Sequence, residues 1–185
     1  QLGLLALSGV MLGLHFATWV ASLSYTSVTS SVVLVTTNPI FVGIGSVLLL
    51  KEKVSTRLWV GTFIAFGGTV VVAFGSSLPA AAAPNPPLGN ALALFGAVCM
   101  SGYLLVGRRL SGELPTICYV TSVYTVAALT LWLGGLLTSA PTHGFSDRQW
   151  ILLVMMALIP QGVGHTLLNR SLRALPASMV AVAIL

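Results

Sequence analysis

Long stretches of apolar residues, separated by short polar segments, make up most of the chain. Uncharged runs of 50, 50, 33 and 21 residues lie between the clusters of charged residues. About 20 apolar residues in a helix cross the hydrocarbon core of a bilayer, so a run of 50 holds two spans and a run of 21 holds one. The pattern predicts an all-α fold, a polytopic integral membrane helix bundle.

Clusters of Pro, Gly, Ser and Thr divide the long runs into six complete spans and the start of a seventh. In chain order these spans are Leu4–Leu23, Val28–Leu50, Leu58–Phe74, Leu88–Gly107, Ile117–Leu137, Trp150–Leu168 and a last one beginning near Pro176. The segment GSSLPAAAAPNPP contains four prolines. Because proline cannot donate a backbone hydrogen bond, this segment is predicted to be an extended linker outside the bilayer.

The composition excludes most classes of soluble protein. Charged residues make up 6% of the chain, hydrophobic residues make up 56%, and the mean hydropathy is +1.00. A soluble domain carries about 25% charged residues. A soluble enzyme, a disordered tail and a nucleic-acid-binding domain are therefore excluded, despite the net charge of +5. The expected partners are the lipid bilayer and a small-molecule solute, not nucleic acid, and the oligomeric state is left open.

The basic residues mark one side of the predicted membrane. Seven of the eight Lys and Arg residues fall in the second, fourth and sixth connections, which contain the sequences KEK, RR and NRSLR. Alternating crossings place all even-numbered connections on one side. Since cytoplasmic loops carry an excess of Lys and Arg, these three loops are predicted to be cytoplasmic.

Two segments of the chain, 149 residues apart, resemble each other. SLSYTSVTSSVVLV begins at Ser22 and SLRALPASMVAVAI begins at Ser171, and each joins the end of one span to the start of the next. Five spans separate the two copies, and this odd number gives the copies opposite orientations. Inverted-topology repeats of this kind are typical of transporters that bind solute near the midplane of the bilayer.

Several motifs make the chain similar to the EamA domain, the repeat unit of the drug/metabolite transporter (DMT) superfamily. They are A-S-L-x-Y-T-S at Ala21–Ser27, Asn38 with Pro39 inside a helix, Glu52 in L-L-K-E-K, and Gly61 with Gly67 and Gly68 in the following span. PLGNALALFGAVCMSGYLLVGRRL resembles the opening helix of a second EamA repeat, and NRSLRALPAS resembles that repeat's copy of the turn.

The resemblance implies a ten-span protein built from two repeats, of which this chain is a fragment covering spans three to eight and the start of nine. Residues 1–76 would be the C-terminal part of the first repeat, 77–87 a periplasmic linker, and 88–185 the N-terminal part of the second. The implied function is that of a permease or exporter in the bacterial inner membrane. It would move small organic metabolites such as amino acids by alternating access.

Two other functions stay open, a membrane channel or structural subunit and an intramembrane hydrolase. The hydrolase would need a serine and a histidine on facing helices, for which Ser101 and His165 are available. No span holds two carboxylates, and the motifs HExxH, CxxC, G-x-S-x-G and Walker A do not occur. We therefore expect no enzyme activity, no catalytic residues, no metal and no cofactor.

Polar side chains inside the spans are candidates for a solute pathway, because polar groups at membrane depth need protein or water partners. Two sets share a helical face by their spacing, one around His15 and one around His165. The candidates are His15, Trp19, Thr37, Asn38, Tyr103, Gln161, His165 and Asn169. The alternative is structural, with histidines that bond to neighbouring hydroxyls and polar groups that satisfy a proline kink.

The remaining candidates are structural or lie at the membrane surface. Small residues at helical spacing let helices approach closely, which assigns packing roles to Gly61, Gly68, Ala93 and Ala97. Lys51, Glu52 and Lys53 are expected to form a charge cluster at the cytoplasmic face, with gating as a second interpretation for Glu52. Since the spans lack charged residues, a proton carrier within them would have to be a histidine, and we expect a facilitator for neutral or zwitterionic solutes.

Overall fold

The computed structural model of the chain describes residues 1–75, 83–140 and 143–184, and within these ranges it contains helices and no strand. The helices are α1 (Leu2–Ser22), α2 (Val28–Val35), α3 (Asn38–Leu48), α4 (Thr56–Gly75), α5 (Pro86–Leu110), α6 (Thr116–Leu137), α7 (Asp147–Met156), a π-helical segment (Ala157–His165), α8 (Thr166–Ser171) and α9 (Ala177–Val182). The predicted all-α fold is confirmed. Most of the predicted linker, residues 77–82, lies outside the described residues.

Five helical stretches are long and apolar enough to cross a bilayer. They are Leu2–Ser22, Val28–Leu48, Pro86–Leu110, Thr116–Leu137 and Asp147–Ser171, and they coincide with the first, second, fourth, fifth and sixth predicted spans. Helix α4 coincides with the third, although its apolar part, Thr56–Val71, is shorter than the others. Helix α9 begins directly after Pro176, where the seventh was predicted. The chain is a multi-pass membrane protein.

Polar residues between the spans start the helices. In α2 the hydroxyl oxygen of Ser27 accepts a hydrogen bond from the backbone N–H of Ser30 at 3.1 Å. In α5 the side-chain oxygen of Asn85 accepts one from the N–H of Leu88 at 3.3 Å. The first turn of a helix has N–H groups without helical partners, and a side chain that accepts from one of them stabilises the start.

The second span is divided into α2 and α3 by a turn at Thr36 and Thr37. Pro39 has no N–H and cannot continue the hydrogen-bond ladder of α2. The hydroxyl of Thr36 donates to the carbonyl of Val32 at 2.8 Å, and the hydroxyl of Thr37 donates to that of Leu34 at 2.6 Å. The two threonines therefore supply hydrogen bonds to carbonyls at the end of α2. This agrees with the interpretation in which polar groups satisfy a proline kink.

The sixth span contains a π-helical segment, with Pro160 inside it, between α7 and α8. The shared face predicted for Gln161, His165 and Asn169 assumes an α-helix throughout this stretch, and the structure corrects that assumption. A proline interrupts the α-helical ladder, and π turns occur where the ladder is interrupted.

Helix α5 lies at the centre of the bundle and packs against α1, α2, α3, α8 and α9. The core beside it contains Leu12 of α1 and Tyr103 of α5, both fully buried. Ala93 and Ala97 of α5 are also fully buried. Their small side chains let neighbouring helices come close to α5, as small residues do in membrane bundles.

The glycines of α4 differ from those alanines. A Cβ built on Gly61 or Gly68 meets no other atom within 4 Å among the described residues. The close approach occurs instead on α1, where a Cβ at Gly9 would lie 2.5 Å from the Cβ of Val126 in α6. Gly9 is therefore a packing glycine that the sequence pattern did not single out, whereas the packing role of Gly61 and Gly68 stays a prediction.

The two resembling segments contain turns with the same backbone structure, here named the first turn (residues 22–28) and the second turn (residues 171–177). In each turn three consecutive N–H groups bond back to the end of the preceding helix, from Ser24, Tyr25 and Thr26 in the first and from Arg173, Ala174 and Leu175 in the second. The donors are 149 residues apart in every pair, and so are the starts of the following helices, Val28 and Ala177.

The two turns lie at opposite ends of α5. The N–H of Asn85, just before α5, donates to the carbonyl of Tyr25 in the first turn at 3.2 Å. Arg108, in the last turn of α5, donates to the carbonyl of Leu172 in the second turn at 2.7 Å. Helices α1 and α8 therefore enter their turns in opposite directions, which is the arrangement of an inverted repeat.

Candidate functional site

A cavity of about 370 Å³ lies between helices of the two copies of the repeat. Helix α1, the break between α2 and α3, helix α5, the π-helical segment and the end of the chain after α9 all contribute to its wall. The polar residues that line it are His15, Trp19, Thr36, Asn38, Gln161 and His165. The other lining residues are apolar, among them Phe16, Met100 and Pro160.

A row of aromatic and imidazole rings runs along one side of the cavity. The ring of His15 stacks on that of Trp19, with centroids 5.7 Å apart and planes at 21°. The ring of His165 lies 5.5 Å from Phe16 and 5.9 Å from Tyr103, between centroids. The row connects α1 to the π-helical segment and to α5, and its rings His15, Phe16, Trp19 and His165 line the cavity.

His15 is fixed by the backbone of α5. Its Nδ1 lies 2.9 Å from the carbonyl oxygen of Gly96. Because a carbonyl only accepts hydrogen bonds, Nδ1 carries the proton, and a neutral imidazole then keeps Nε2 as an acceptor. This bond joins α1 directly to α5, so the partner of His15 is a backbone carbonyl and not the hydroxyl that the structural interpretation predicts.

Three lining residues carry buried polar atoms that have no hydrogen-bond partner among the described residues. They are the indole Nε1 of Trp19, the amide Oε1 of Gln161 and the Nδ1 of His165. An unpartnered buried donor or acceptor costs about 1–3 kcal/mol, so native structures rarely keep several together without a purpose. Each of these atoms is almost fully buried within the wall, so it does not itself face the cavity.

No Asp, Glu, Lys or Arg is among the described residues that line the cavity. In the described ranges there is also no group of three His, Cys, Asp or Glu side chains that could hold a metal ion. The arrangement can hold a molecule by apolar contact and by hydrogen bonds. It offers no pair of carboxylates for acid–base chemistry.

Five of the eight predicted pathway residues line the cavity: His15, Trp19, Asn38, Gln161 and His165. The other three lie behind it. Thr37 bonds to the carbonyl of Leu34, and its neighbour Thr36 is the threonine that lines the cavity. The amide nitrogen of Asn169 donates to the hydroxyl of Tyr103, and that pair is buried.

The predicted single face of Gln161, His165 and Asn169 is not seen, because Asn169 turns to Tyr103 instead of the cavity. A π turn holds more residues than an α turn, so residues at α-helical spacing do not stay on one face through the π-helical segment. The apolar lining, which includes Met100, was also missed. Apolar residues occur throughout the spans, so the sequence carried no signal that singled these out.

In the charge cluster predicted at Lys51, Glu52 and Lys53, the carboxylate of Glu52 pairs with an arginine of α5 and not with either lysine. The Oε1 of Glu52 lies 2.7 Å from the Nε of Arg108, and both lysines are exposed. Arg108 also bonds to the carbonyl of Leu172. The connections after α3, α5 and α8 therefore meet at one end of the bundle, which agrees with the predicted placement of the basic loops on one side.

The serine and histidine considered for a hydrolase do not form a pair. The hydroxyl of Ser101 donates to the backbone carbonyls of Ala97 at 2.7 Å and Asn38 at 3.1 Å. A nucleophilic serine instead needs its hydroxyl bonded to the imidazole that takes its proton. The hydroxyl of Ser101 therefore joins α5 to α3, which is a structural role.

Comparison with known proteins identifies the family. The EamA-like transporter family matches residues 1–74 and 87–185. The uncharacterized transporter YyaM of Bacillus subtilis (strain 168) is 24% identical over 168 residues, which cover 90% of this chain and 55% of that protein, so the chain spans about half the length of this relative. A crystal structure at 18% identity shares the fold with a TM-score of 0.73, over 97% of this chain and 72% of that one. The chain belongs to the EamA-like transporter family.

Proposed function

We propose that the protein is a permease for small organic metabolites, with amino acids as the expected type, and that it works by alternating access. The observation that carries the proposal is the cavity, because both copies of the inverted repeat contribute to its wall. His15 and Trp19 come from the first copy, and Gln161 and His165 from the second. In transporters with inverted repeats, movement of one copy against the other opens such a site to each side in turn.

The charged end of the bundle supports this proposal. Glu52 follows α3 of the first copy, Leu172 belongs to the second turn, and Arg108 binds both. This is where the two copies are joined on one side of the cavity. Release of these bonds would let the copies separate at that end, which is the gating role considered for Glu52.

The proposed location is the inner membrane of a bacterium, with the loops KEK, RR and NRSLR in the cytoplasm and the linker at 77–87 in the periplasm. The excess of Lys and Arg in those loops supports this orientation. The uncharged wall of the cavity supports a facilitator for neutral or zwitterionic solutes.

The test is uptake of labelled amino acids and other small metabolites by proteoliposomes that contain the full-length protein, with and without an imposed pH gradient. Saturable uptake of one class without a gradient is expected, and protein-free liposomes are the control. Uptake only with the gradient would replace the facilitator by a proton-coupled transporter. Uptake of no solute would contradict the permease, and ion currents in the same vesicles would then indicate a channel.

A further inference from the structure

We propose that Tyr103, Tyr119 and Asn169, here named the inner barrier, close the cavity toward the end of the bundle where Glu52 pairs with Arg108, and that the inner barrier opens when solute passes to that side. The inference rests on the proposed function, because it assumes that solute moves between the cavity and both sides of the membrane. It goes beyond the ion pair by placing a second barrier inside the bundle, between the ion pair and the cavity.

The cavity lies away from the ion pair along the bundle. In α1 the lining residues His15 and Trp19 are within two turns of Ser22, where the first turn begins. In α2 the lining residues Val32 and Val35 are within two turns of the start of the helix. The first turn and the ion pair are at opposite ends of α5. A solute that leaves the cavity toward the ion pair therefore has to pass along the second half of α5.

The inner barrier fills this stretch of the bundle. The side chain of Tyr103 is fully buried, and its ring lies 5.9 Å from that of His165 in the cavity wall, between centroids. One turn after His165, the amide nitrogen of Asn169 donates to the hydroxyl of Tyr103 at 2.5 Å. Tyr119 is also buried, and its hydroxyl lies 2.6 Å from that of Ser8. Side chains from α1, α5, α6 and α8 therefore meet between the cavity and the ion pair.

Gly107 shows how closely the inner barrier packs against α5. A Cβ built on this residue would lie 3.0 Å from the hydroxyl oxygen of Tyr119 and 3.5 Å from the side-chain oxygen of Asn169. It would also lie 3.0 Å from the Cδ1 of Leu172, whose carbonyl binds Arg108. In the described part of the chain, this face of α5 has no space for a side chain, and so none for a solute.

The bonds that hold the inner barrier closed can be exchanged. A hydrogen bond between membrane helices contributes little, because the groups find other partners when the helices separate. The hydroxyl of Tyr119 is such a partner for Asn169, since both converge on Gly107. Withdrawal of α8 from α5 would break the bond between Asn169 and Tyr103. It would also carry Leu172, at the end of α8, away from Arg108, so the inner barrier and the charged end would open together.

The experiment measures from which side of the membrane a cysteine in the cavity can be reached. Val35→Cys, at a lining position, is introduced into the full-length protein after all its native cysteines have been replaced by alanine. Its rate of reaction with a small, charged methanethiosulfonate is measured in intact cells and in inside-out vesicles. Because the inner barrier closes the cavity toward the basic loops, we expect a faster reaction from the opposite side.

Two variants test the residues of the inner barrier in this background. Tyr103→Phe removes only the hydroxyl, and Asn169→Leu removes the donor at a similar volume. Each is expected to raise the rate from the side of the basic loops about fivefold, the factor that corresponds to one typical hydrogen bond, without an equal rise from the opposite side. Tyr25→Phe is the matched control, since Tyr25 lies in the first turn at the other end of α5 and should leave both rates unchanged.

Three results would overturn the inference: a rate from the side of the basic loops that neither variant changes, an equal rise from both sides, which would show a loosened fold, or a cavity cysteine that reacts equally fast from both sides before any barrier residue is changed. The proposed function is judged separately by uptake into proteoliposomes. If the vesicles take up solute and the access does not shift, the permease stands and the inner barrier is wrong. If the access shifts as expected and no solute enters, the inner barrier stands as the gate of a channel and the permease is wrong.

Discussion

The first and second turns have the same pattern of backbone hydrogen bonds, yet different side-chain interactions attach them to the rest of the bundle. In the first turn the hydroxyl of Thr26 donates to the side-chain oxygen of Asn90 at 2.8 Å, and both side chains are uncharged. The second turn is bound by a charged side chain, since the guanidinium of Arg108 in α5 donates to the backbone carbonyl of Leu172 and pairs with the carboxylate of Glu52. The hydrogen bonds within the turn are thus independent of the charges around it.

This difference shows how one motif serves both surfaces of a membrane protein. The backbone bonds of the turn are local and depend on the end of the preceding helix, so they form at either surface. The side chains around the turn face different surroundings, and the basic ones collect at one side only. Both turns therefore change the direction of the chain, and the second accepts a hydrogen bond from an arginine, Arg108, that also pairs with Glu52.

The largest expected effect concerns the sides on which the two turns lie. Ser24 and Arg173 occupy equivalent positions of the turns. In a background where Cys99, Cys118 and any further cysteine of the full-length protein are replaced by alanine, Ser24→Cys is expected to react with a membrane-impermeant maleimide in intact cells. Arg173→Cys is expected to react only after the cells are permeabilised, since its loop is predicted to be cytoplasmic.

The matched control for this labelling is the alanine background without an added cysteine, which should give no signal. Labelling of both positions from outside would contradict the opposite placement of the turns. The reverse pattern would keep the inverted repeat and overturn the assignment of the basic loops to the cytoplasm.

A smaller effect is expected when the charged attachment of the second turn is removed. Arg108→Ala breaks the bonds to Glu52 and Leu172 and leaves a partly buried carboxylate without its partner. Hydrogen bonds to charged groups contribute about 1.5–3 kcal/mol, and partial exposure of the pair moves the expectation to the lower end. Thermal unfolding in detergent, followed by circular dichroism, should show a Tm several degrees lower. Arg109→Ala, at the exposed neighbouring position, should leave the Tm unchanged, and an equal loss in both variants would show that net charge is responsible.

The smallest effect distinguishes the serines that begin the two turns. The hydroxyl of Ser22 is fully buried and lies 2.6 Å from that of Ser31. The position equivalent to Ser31 in the second copy is Val180, so Ser171 has no such hydroxyl to bind. Ser22→Ala should destabilise the protein by about 1 kcal/mol, and Ser171→Ala should have little effect, as measured by denaturant unfolding in micelles.

A double variant makes this last comparison sharper. Ser22→Ala with Ser31→Val places at residue 31 the valine found at the equivalent position of the second copy and leaves no unpartnered hydroxyl, so most of the lost stability should return. If the double variant is less stable than Ser22→Ala alone, the valine does not fit between α1 and α2, and the two copies differ in packing as well as in polarity.

Much of the fold could be predicted because it depends on local patterns. Apolar run length fixed the spans, and the spacing of Ser22 and Ser171 identified equivalent turns that the structure confirms. Pro39 indicated a kink in the second span, and the structure has a turn at Thr36 and Thr37 there. The π-helical segment was missed, although Pro160 was the signal for it, because a proline shows where the ladder is interrupted and not which helix type replaces it.

The site was less predictable because it depends on which helices become neighbours. His15 and His165 were found as polar residues in apolar spans, which is a local signal. The salt bridge between Glu52 and Arg108 joins residues 56 positions apart, and nothing in either segment specifies the other. The open faces of Gly61 and Gly68 show the same point, since a small residue permits close packing but does not determine which helix packs against it.

The length of α5 has a mechanical consequence. Its 25 residues span about 37 Å at 1.5 Å per residue, more than the roughly 30 Å of a hydrocarbon core. An α-helix resists stretching because every turn is closed by hydrogen bonds. With one turn bonded at each of its ends, α5 is a strut that fixes the separation of the two turns. Any rearrangement that keeps both attachments must be a rotation or tilt about this strut, and one that changes their separation must first break the bonds at Asn85 or at Arg108.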